Sequence, residues 1–312
     1  MQYVVNLGGN MQNKIVILFL SLLLSACSQL PDEQHQFSAP TSREYKVMLA
    51  PNPFNYGNEK AVVKQYFQDM KATIEFALKE DIESDYTLSA ERSVIFYDTP
   101  GHCELKNHGY SFRERIKAKN GKSKVSLKYR DTDLNKASIE DVSSSENSAK
   151  TKFELDMGMT NTKKITSIYS VSTKLNNKKL IEKMAVINGV FPAFHSRYQF
   201  KDSLSIAPVS GLKIYERVYQ GMSFNLGDDT AEVSLSIWYK QAPSTESKAL
   251  VVEASFVHGN KSGIYSSKTL KRAKDAFYAM QEMKDWTAPN SQTKTQFIYH
   301  YDPTFCASES PR

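Results

Sequence analysis

Cysteine is scarce in this 312-residue chain, with Cys27, Cys103 and Cys306 the only three. Neither Cys103 nor Cys306 has a local catalytic signature; in an oxidising compartment such a distant pair most often forms one disulfide, a free nucleophilic thiol being the alternative. The six histidines do not cluster, and His102 and His108, six apart in a loop, read as surface or packing residues. Long apolar runs are missing apart from IVILFLSLLL (residues 15–24), which is shorter than the ~20 residues of a membrane-spanning helix. No phosphate-binding P-loop or dinucleotide fingerprint occurs, and Gly221-Met222-Ser223-Phe224-Asn225 lacks the closing glycine of a nucleophile elbow. Aromatic residues are plentiful, but the basic residues alternate with apolar ones and not with stacking platforms, which argues against specific nucleic-acid binding.

Met11-Gln12-Asn13-Lys14 and the apolar run after it read as the basic and hydrophobic parts of a signal peptide, so that Met11 is the expected start. The run ends in Leu24-Ser25-Ala26-Cys27, similar to a bacterial lipobox, in which Cys27 is acylated and becomes the mature N-terminus. The expected organisation is a signal peptide over 1–26, a polar tether with Pro31 and Pro40 over 27–42, and a single domain over 43–306. Ser28, and not Asp, follows the cysteine, which by the bacterial sorting rule places the lipid-anchored protein in the outer membrane, facing the periplasm. Residues 1–26 hold one lysine and no acid, so the rest of the chain is basic by five charges. A balance of that size suits an anionic ligand or surface without requiring one.

Where the basic residues fall says more than how many there are. From Phe112 to Lys117 a two-residue period puts Arg113, Arg115 and Lys117 on one side; after a turn at Asn120-Gly121, Lys124, Ser126, Lys128 and Arg130 share a face. Further strands are expected over 44–49, 92–96, 153–157, 165–172, 212–219, 231–239 and 249–258, with an aromatic edge strand over 296–301. Val63, Phe67, Met70, Ile74 and Leu78 keep helical spacing, as do Leu270, Ala273, Phe277 and Met280. Leu180 to Ile187 suits a short buried helix, Pro192 and Pro208 bracket a loop-rich connection, and the Ser- and Asp-rich stretch 131–150 reads as a surface excursion. On the late strands Lys213, Tyr215 and Arg217 share one parity, as do Glu232, Ser234 and Ser236, and Glu253 and Ser255. If the sheet closes, these faces together line a charged interior. The fold class is α+β, an antiparallel sheet with helices packed outside, and a closed or nearly closed β-barrel if its ends meet.

The order of these motifs resembles the CYTH family of triphosphate tunnel enzymes. Tyr97-Asp98-Thr99-Pro100 looks like that family's Y-D-T-P turn, followed by Leu105, Gly109, the strand Phe112-Arg113-Glu114-Arg115, and Ser126-Leu127-Lys128 in the place of its T-L-K strand. Ser42-Arg43-Glu44-Tyr45-Lys46 matches the second acid and the lysine of the opening E-x-E-x-K, with Ser42 where the first acid would be. The likeness covers residues 43–130, with a weaker echo over 213–256. It implies that Lys46, Arg113, Arg115, Lys128 and Arg217 clamp phosphate, and that Glu44 and Glu253, with Glu232 as a third, hold a divalent metal, Mg or Mn, if the protein is active. The implied function is binding, with metal-dependent hydrolysis, of inorganic polyphosphate or another phosphate chain. A non-catalytic anion-binding or structural envelope lipoprotein is the alternative.

Overall fold

The structure, a computed structural model, describes residues 37–160, 164–288 and 292–307. The expected signal peptide, Cys27 and most of the tether lie outside the described residues.

Ten strands form one sheet: β1 (Ser42–Leu49), β2 (Thr87–Asp98), β3 (Tyr110–Lys117), β4 (Ser123–Asp131), β5 (Lys150–Met159), β6 (Ile165–Asn177), β7 (Ala207–Pro208), β8 (Ile214–Asn225), β9 (Thr230–Tyr239) and β10 (Val251–Gly259). They run in the order β3-β4-β6-β5-β1-β10-β9-β8-β2-β7, and β2 pairs back onto β3, so nine strands close into a ring with β7 at the end of β2. Closure removes the exposed sheet edges that would otherwise invite pairing with another chain. Every pair in the ring is antiparallel except β1 with β5. The helices are α1 (Glu59–Leu78), α2 (Glu104–Asn107), α3 (Leu134–Ser138), α4 (Ala185–Asn188), α5 (Pro192–Tyr198), α6 (Ser267–Gln281) and α7 (Lys294–Tyr301).

Alternation divides each strand between two environments. The outward residues Tyr45, Val47, Leu235, Ile237, Ala254 and Phe256 pack beneath α1 and α6, where Val63, Phe67, Met70 and Ile74 are fully buried on the expected stripe. On the other side Tyr110, Phe112, Val125, Leu127 and Val171 pack against Ile187 of α4, Phe194 of α5 and Phe191, which caps the start of α5. Each such side chain adds about 1.5–3 kcal/mol of hydrophobic stabilisation. With the outside apolar and helix-covered, the polar alternates are left to face inward. The stretch 131–150 is drawn into this packing: it forms α3 and buries Ala137 and Val142.

Two local expectations are corrected. Residues 296–301 are not an edge strand but most of α7: Thr293 and Gln296 form a reciprocal capping box, which satisfies backbone donors at the helix start and outweighs the strand preference of Phe297, Ile298 and Tyr299. Pro192 opens α5 instead of bounding a loop, because proline at the first helical turn has no amide hydrogen that the helix needs.

Candidate functional site

The inner face of the ring changes character along its length. At one end Val94, Phe96, Ile214, Trp238 and Val251 face inward and are sealed by Ile298 and Tyr299 of α7, all of them buried. Beyond them lie Glu44, Lys46, Arg92, Arg113, Arg115, Lys128, Arg130, Asp156, Glu216 and Glu253, contributed by seven strands whose registers put them on the same face. Lys294, from the first turn of α7, reaches this layer from the plugged end.

Each carboxylate here meets a cation. Lys46 Nζ lies 3.0 Å from Glu44 Oε2 and 2.8 Å from Asp156 Oδ1. Lys128 Nζ lies 2.9 Å from Asp156 Oδ2, and Arg130 Nε stands 3.9 Å from the same oxygen. Glu216 accepts from Arg92 and, at 2.9 Å, from the Trp238 indole. Burial alone would raise the pKa of Asp156, but Lys128, Lys46 and Arg130 outweigh it and hold the carboxyl well below its ordinary range. Glu216 is held low in the same way, with Lys294, Arg92 and Arg115 opposing burial. At Lys46 the order reverses: burial would lower its pKa, and Asp156, Glu44 and Glu253 raise it.

Two arginines of this wall are left with a buried Nε that has no hydrogen-bond partner among the described residues. Arg113 has no carboxylate within ion-pair distance among the described residues; its guanidinium carbon lies 5.7 Å from the Phe96 ring centre, and its Nε is buried without a hydrogen-bond partner. Arg115 Nε is likewise unpartnered, 3.9 Å from Glu216 Oε2, which is too far for a hydrogen bond. Burial and then the neighbouring Arg115 push the pKa of Arg113 well below the ordinary arginine value; burial and then Arg92 bring Arg115 down to about 10, so it is still charged at neutral pH. A wall of this kind presents unsatisfied donors and uncompensated positive charge, which an anion with several oxygens would satisfy together.

Of the expected clamps, Lys46, Arg113, Arg115 and Lys128 are brought together, and Arg217 is not. Its neighbour Glu216 faces inward, and Arg217 faces outward to the N-terminus of α1, with Nε 2.7 Å from Glu59 Oε1, a contact to Glu91, and its guanidinium over Tyr56. Glu59 also accepts from Tyr219 and Tyr239. Tyr215 and Arg217 share a parity on β8, but it is the outer one, since Arg217 pairs with the outward Ile237 of β9, and Lys213 lies before the strand. Three interior cations, Arg92, Arg130 and Lys294, complete the wall without having been expected as clamps. Arg92 and Arg130 carry the parity that could have marked them, whereas Lys294 lies just before the expected strand 296–301, where no element was expected.

Glu44 and Glu253 both lie on the inner wall, while Glu232 is exposed at the open rim beside a cleft of about 730 Å³ lined by Ser42, Lys152 and Val257. Among the described residues no group of three or more His, Cys, Asp or Glu side chains is placed to hold a metal ion. The inner carboxylates are engaged by ammonium and guanidinium groups, so the donor set does not fit a metal centre.

Cys103 and Cys306 are joined in a disulfide, 203 residues apart in sequence. The bond ties the segment after α7 to the turn following β2. There Asp98 accepts from the backbone of Thr99, Leu105 and Lys106 and from the Tyr299 hydroxyl. These links hold α7, and with it Lys294, in the ring.

No family model matches the chain, and no curated protein matches it. Among solved structures it is similar to a Hippeastrum protein carried under the name adenylyl cyclase, for which a dominant triphosphatase activity is described: 12% identity over 82% of this chain and 93% of that one, TM-score 0.41. A Bacillus halodurans protein named for adenylate cyclase aligns at 10% identity over 82% and 98% of the two chains, TM-score 0.35. One from Vibrio parahaemolyticus with the same name aligns at 11% identity over 83% and 98%, TM-score 0.33. Likeness at this level assigns neither a family nor a reaction; the ring closure rests on the chain's own strand pairing.

Proposed function

We propose that the ring binds a phosphate chain, or a polyanion of the same chemistry, and that the domain is carried in the bacterial envelope on a lipid attached to Cys27. The observation that carries the binding reading is Arg113, a cation without a carboxylate partner, flanked by Arg115, Arg92 and Arg130 on one wall. A half-buried guanidinium with a buried, unpartnered Nε and no carboxylate beside it is costly in the free protein, and a bound anion offsets that cost. A phosphate chain fits this wall because its regularly spaced oxygens can accept from donors on adjacent strands. Arg113 and Arg115 stand two residues apart on β3, with Lys128 alongside on β4. The alternative of turnover with a divalent metal is less well supported, because the carboxylates it needs are already paired with Lys46, Lys128, Lys294 and Arg92.

The envelope reading is supported by the Leu24-Ser25-Ala26-Cys27 sequence and by the Cys103–Cys306 disulfide, which suits an oxidising compartment. Metabolic labelling with a fatty acid is expected to mark the wild type and not Cys27→Ser, and absence of label from the wild type would refute the anchor. Calorimetry with inorganic tripolyphosphate, beside a phosphate-release assay, tests the ligand. Saturable binding without release is expected. Release that requires a divalent metal would restore the enzyme reading, and no heat with any phosphate chain would remove both.

A further inference from the structure

Lys294 occupies an unusual position. Its ammonium donates to Ser236 Oγ at 2.7 Å and lies 3.0 Å from Glu253 Oε1 and 3.5 Å from Glu216 Oε1, over the Trp238 ring at 5.3 Å. The contact to Ser236 is a hydrogen bond and the two carboxylate contacts are ion pairs, so the ammonium stands between a neutral oxygen and two charged ones. Glu216 and Glu253 come from β8 and β10, on either side of β9, and both side chains are largely withdrawn from water, at 3% and 11% exposure. Two carboxylates turned toward one point in a weakly screened interior repel one another unless positive charge stands between them. In this protein that charge is delivered by a lysine from a separate element, α7, which the Asp98–Tyr299 hydrogen bond and the Cys103–Cys306 disulfide fasten in place.

We propose that Lys294 is a built-in cation standing where Glu216 and Glu253 would otherwise take a divalent metal ion, so that the ring binds its anion without a metal. Hard divalent cations seek clustered carboxylate oxygens, and Glu216 and Glu253 already form half of such a set. An ammonium fixed by three contacts is covalently part of the chain and acts at high effective concentration, so a dissolved metal ion competes poorly with it. Removing the ammonium while keeping both carboxylates exposes a latent metal site, with Ser236 as a neutral oxygen beside it. The role assigned to Lys294 draws on the phosphate reading only for the identity of the anion. The metal competition is independent of it.

The test uses the full chain in detergent, titrated with manganese alone and followed by the electron-spin resonance signal of the free ion. Wild type is expected to leave the ion free, and Lys294→Met to bind one per chain at least ~10-fold more tightly, the scale of a coupling of 1–3 kcal/mol between charged ligands. Lys294→Met/Glu253→Gln should lose that gain, and Lys294→Arg should not acquire it. A wild type that binds one manganese as tightly as Lys294→Met overturns the proposal, as does a Lys294→Met protein that melts cooperatively and still leaves the ion free. Should Lys294→Met fail to fold, Lys294→Gln keeps a donor to Ser236 without the charge and is read by the same criteria. A second arm measures wild-type tripolyphosphate binding in a chelator and then with magnesium. Affinities within about twofold are expected, whereas binding that appears only with magnesium overturns the metal-free claim. If no phosphate chain binds under either condition, the phosphate reading falls and the manganese titration still decides the role of Lys294.

Discussion

The Tyr299 hydroxyl donates to Asp98 Oδ2 at 2.8 Å, joining residues 201 apart in sequence and linking α7 to the turn that follows β2. Asp98 is fully buried and accepts three backbone amides as well, so it organises the turn and fixes the helix at once. Tyr299→Phe removes one bond and leaves the three amides, and a loss of about 1–2 kcal/mol is expected. Asp98→Ala strands all four donors and should cost several times as much. Paired urea denaturation curves check the order, and equal losses would show that the amides do not depend on Asp98.

The disulfide acts on the same end of the ring. Closing a loop of some two hundred residues restricts the unfolded chain, and about 2–4 kcal/mol of stability is expected from it. Cys103→Ser/Cys306→Ser should therefore melt below the oxidised wild type and match the wild type in reductant. A non-reducing peptide map of protein from the envelope should show the linked pair, and two free thiols would refute it.

How much of this was legible beforehand depends on which face of each strand was being read. The basic alternation of β3 and β4 survives intact, because the outward alternates Phe112, Val125 and Leu127 are apolar and leave only one way to orient the strand. On β8 the signal inverts. Glu216 and Arg217 are both charged and both buried, so alternation cannot decide which faces in; the answer lies in Glu59, which is far away in sequence and provides Arg217 with an outward partner. Lys294 is hidden for another reason. Its segment is aromatic and strand-like, and the Thr293–Gln296 capping box that makes it a helix is a four-residue signal that composition does not reveal. Ring closure itself, β2 returning to β3, is a long-range pairing that local pattern permits without requiring.

The outward placement of Arg217 gives a prediction that separates structure from binding. Removing Arg217 leaves Glu59 buried without its charged partner, so Arg217→Ala should lose about 3–5 kcal/mol of stability. Tripolyphosphate affinity, measured well below the melting temperature, should be unchanged because the side chain never reaches the interior. A variant that keeps its stability and loses binding would return Arg217 to the site.

Acid should weaken the ring through Asp156 and Glu216. Lys128, Lys46 and Arg130 hold Asp156, and Lys294, Arg92 and Arg115 hold Glu216, well below the ordinary values of 3.8 and 4.5 despite burial. In each case the folded state binds its proton less readily than the unfolded state. The stabilisation is therefore present above the ordinary carboxylate value and is lost as pH falls through the depressed folded one. The melting temperature should fall steadily below about pH 4.5. Asp156→Asn should start lower at neutral pH and fall less steeply in acid. Parallel melting curves for the two proteins would refute the assignment.

Arg113 offers the sharpest test, because removing it should move stability and binding in opposite directions. In the free protein it is a half-buried cation with no carboxylate in ion-pair reach among the described residues and a buried, unpartnered Nε, crowded by Arg115, Arg130 and Arg92. Arg113→Met keeps the unbranched stem against Phe96 and removes the charge, so the ligand-free variant should be more stable than wild type by about 1–2 kcal/mol. The same change deletes a charge-assisted contact to the anion and should weaken tripolyphosphate binding by about 1.5–3 kcal/mol, roughly 10- to 150-fold. Lys128→Met behaves differently, since Lys128 Nζ is 2.9 Å from Asp156 and its loss leaves that carboxylate with less compensation; stability and binding should fall together. Melting curves with and without ligand read both quantities from one sample. If Arg113→Met is destabilised in the absence of ligand, the guanidinium has a structural partner and the wall is not poised for an anion. If it is stabilised while affinity stays unchanged, the anion binds elsewhere and the unpaired charge has no part in holding it.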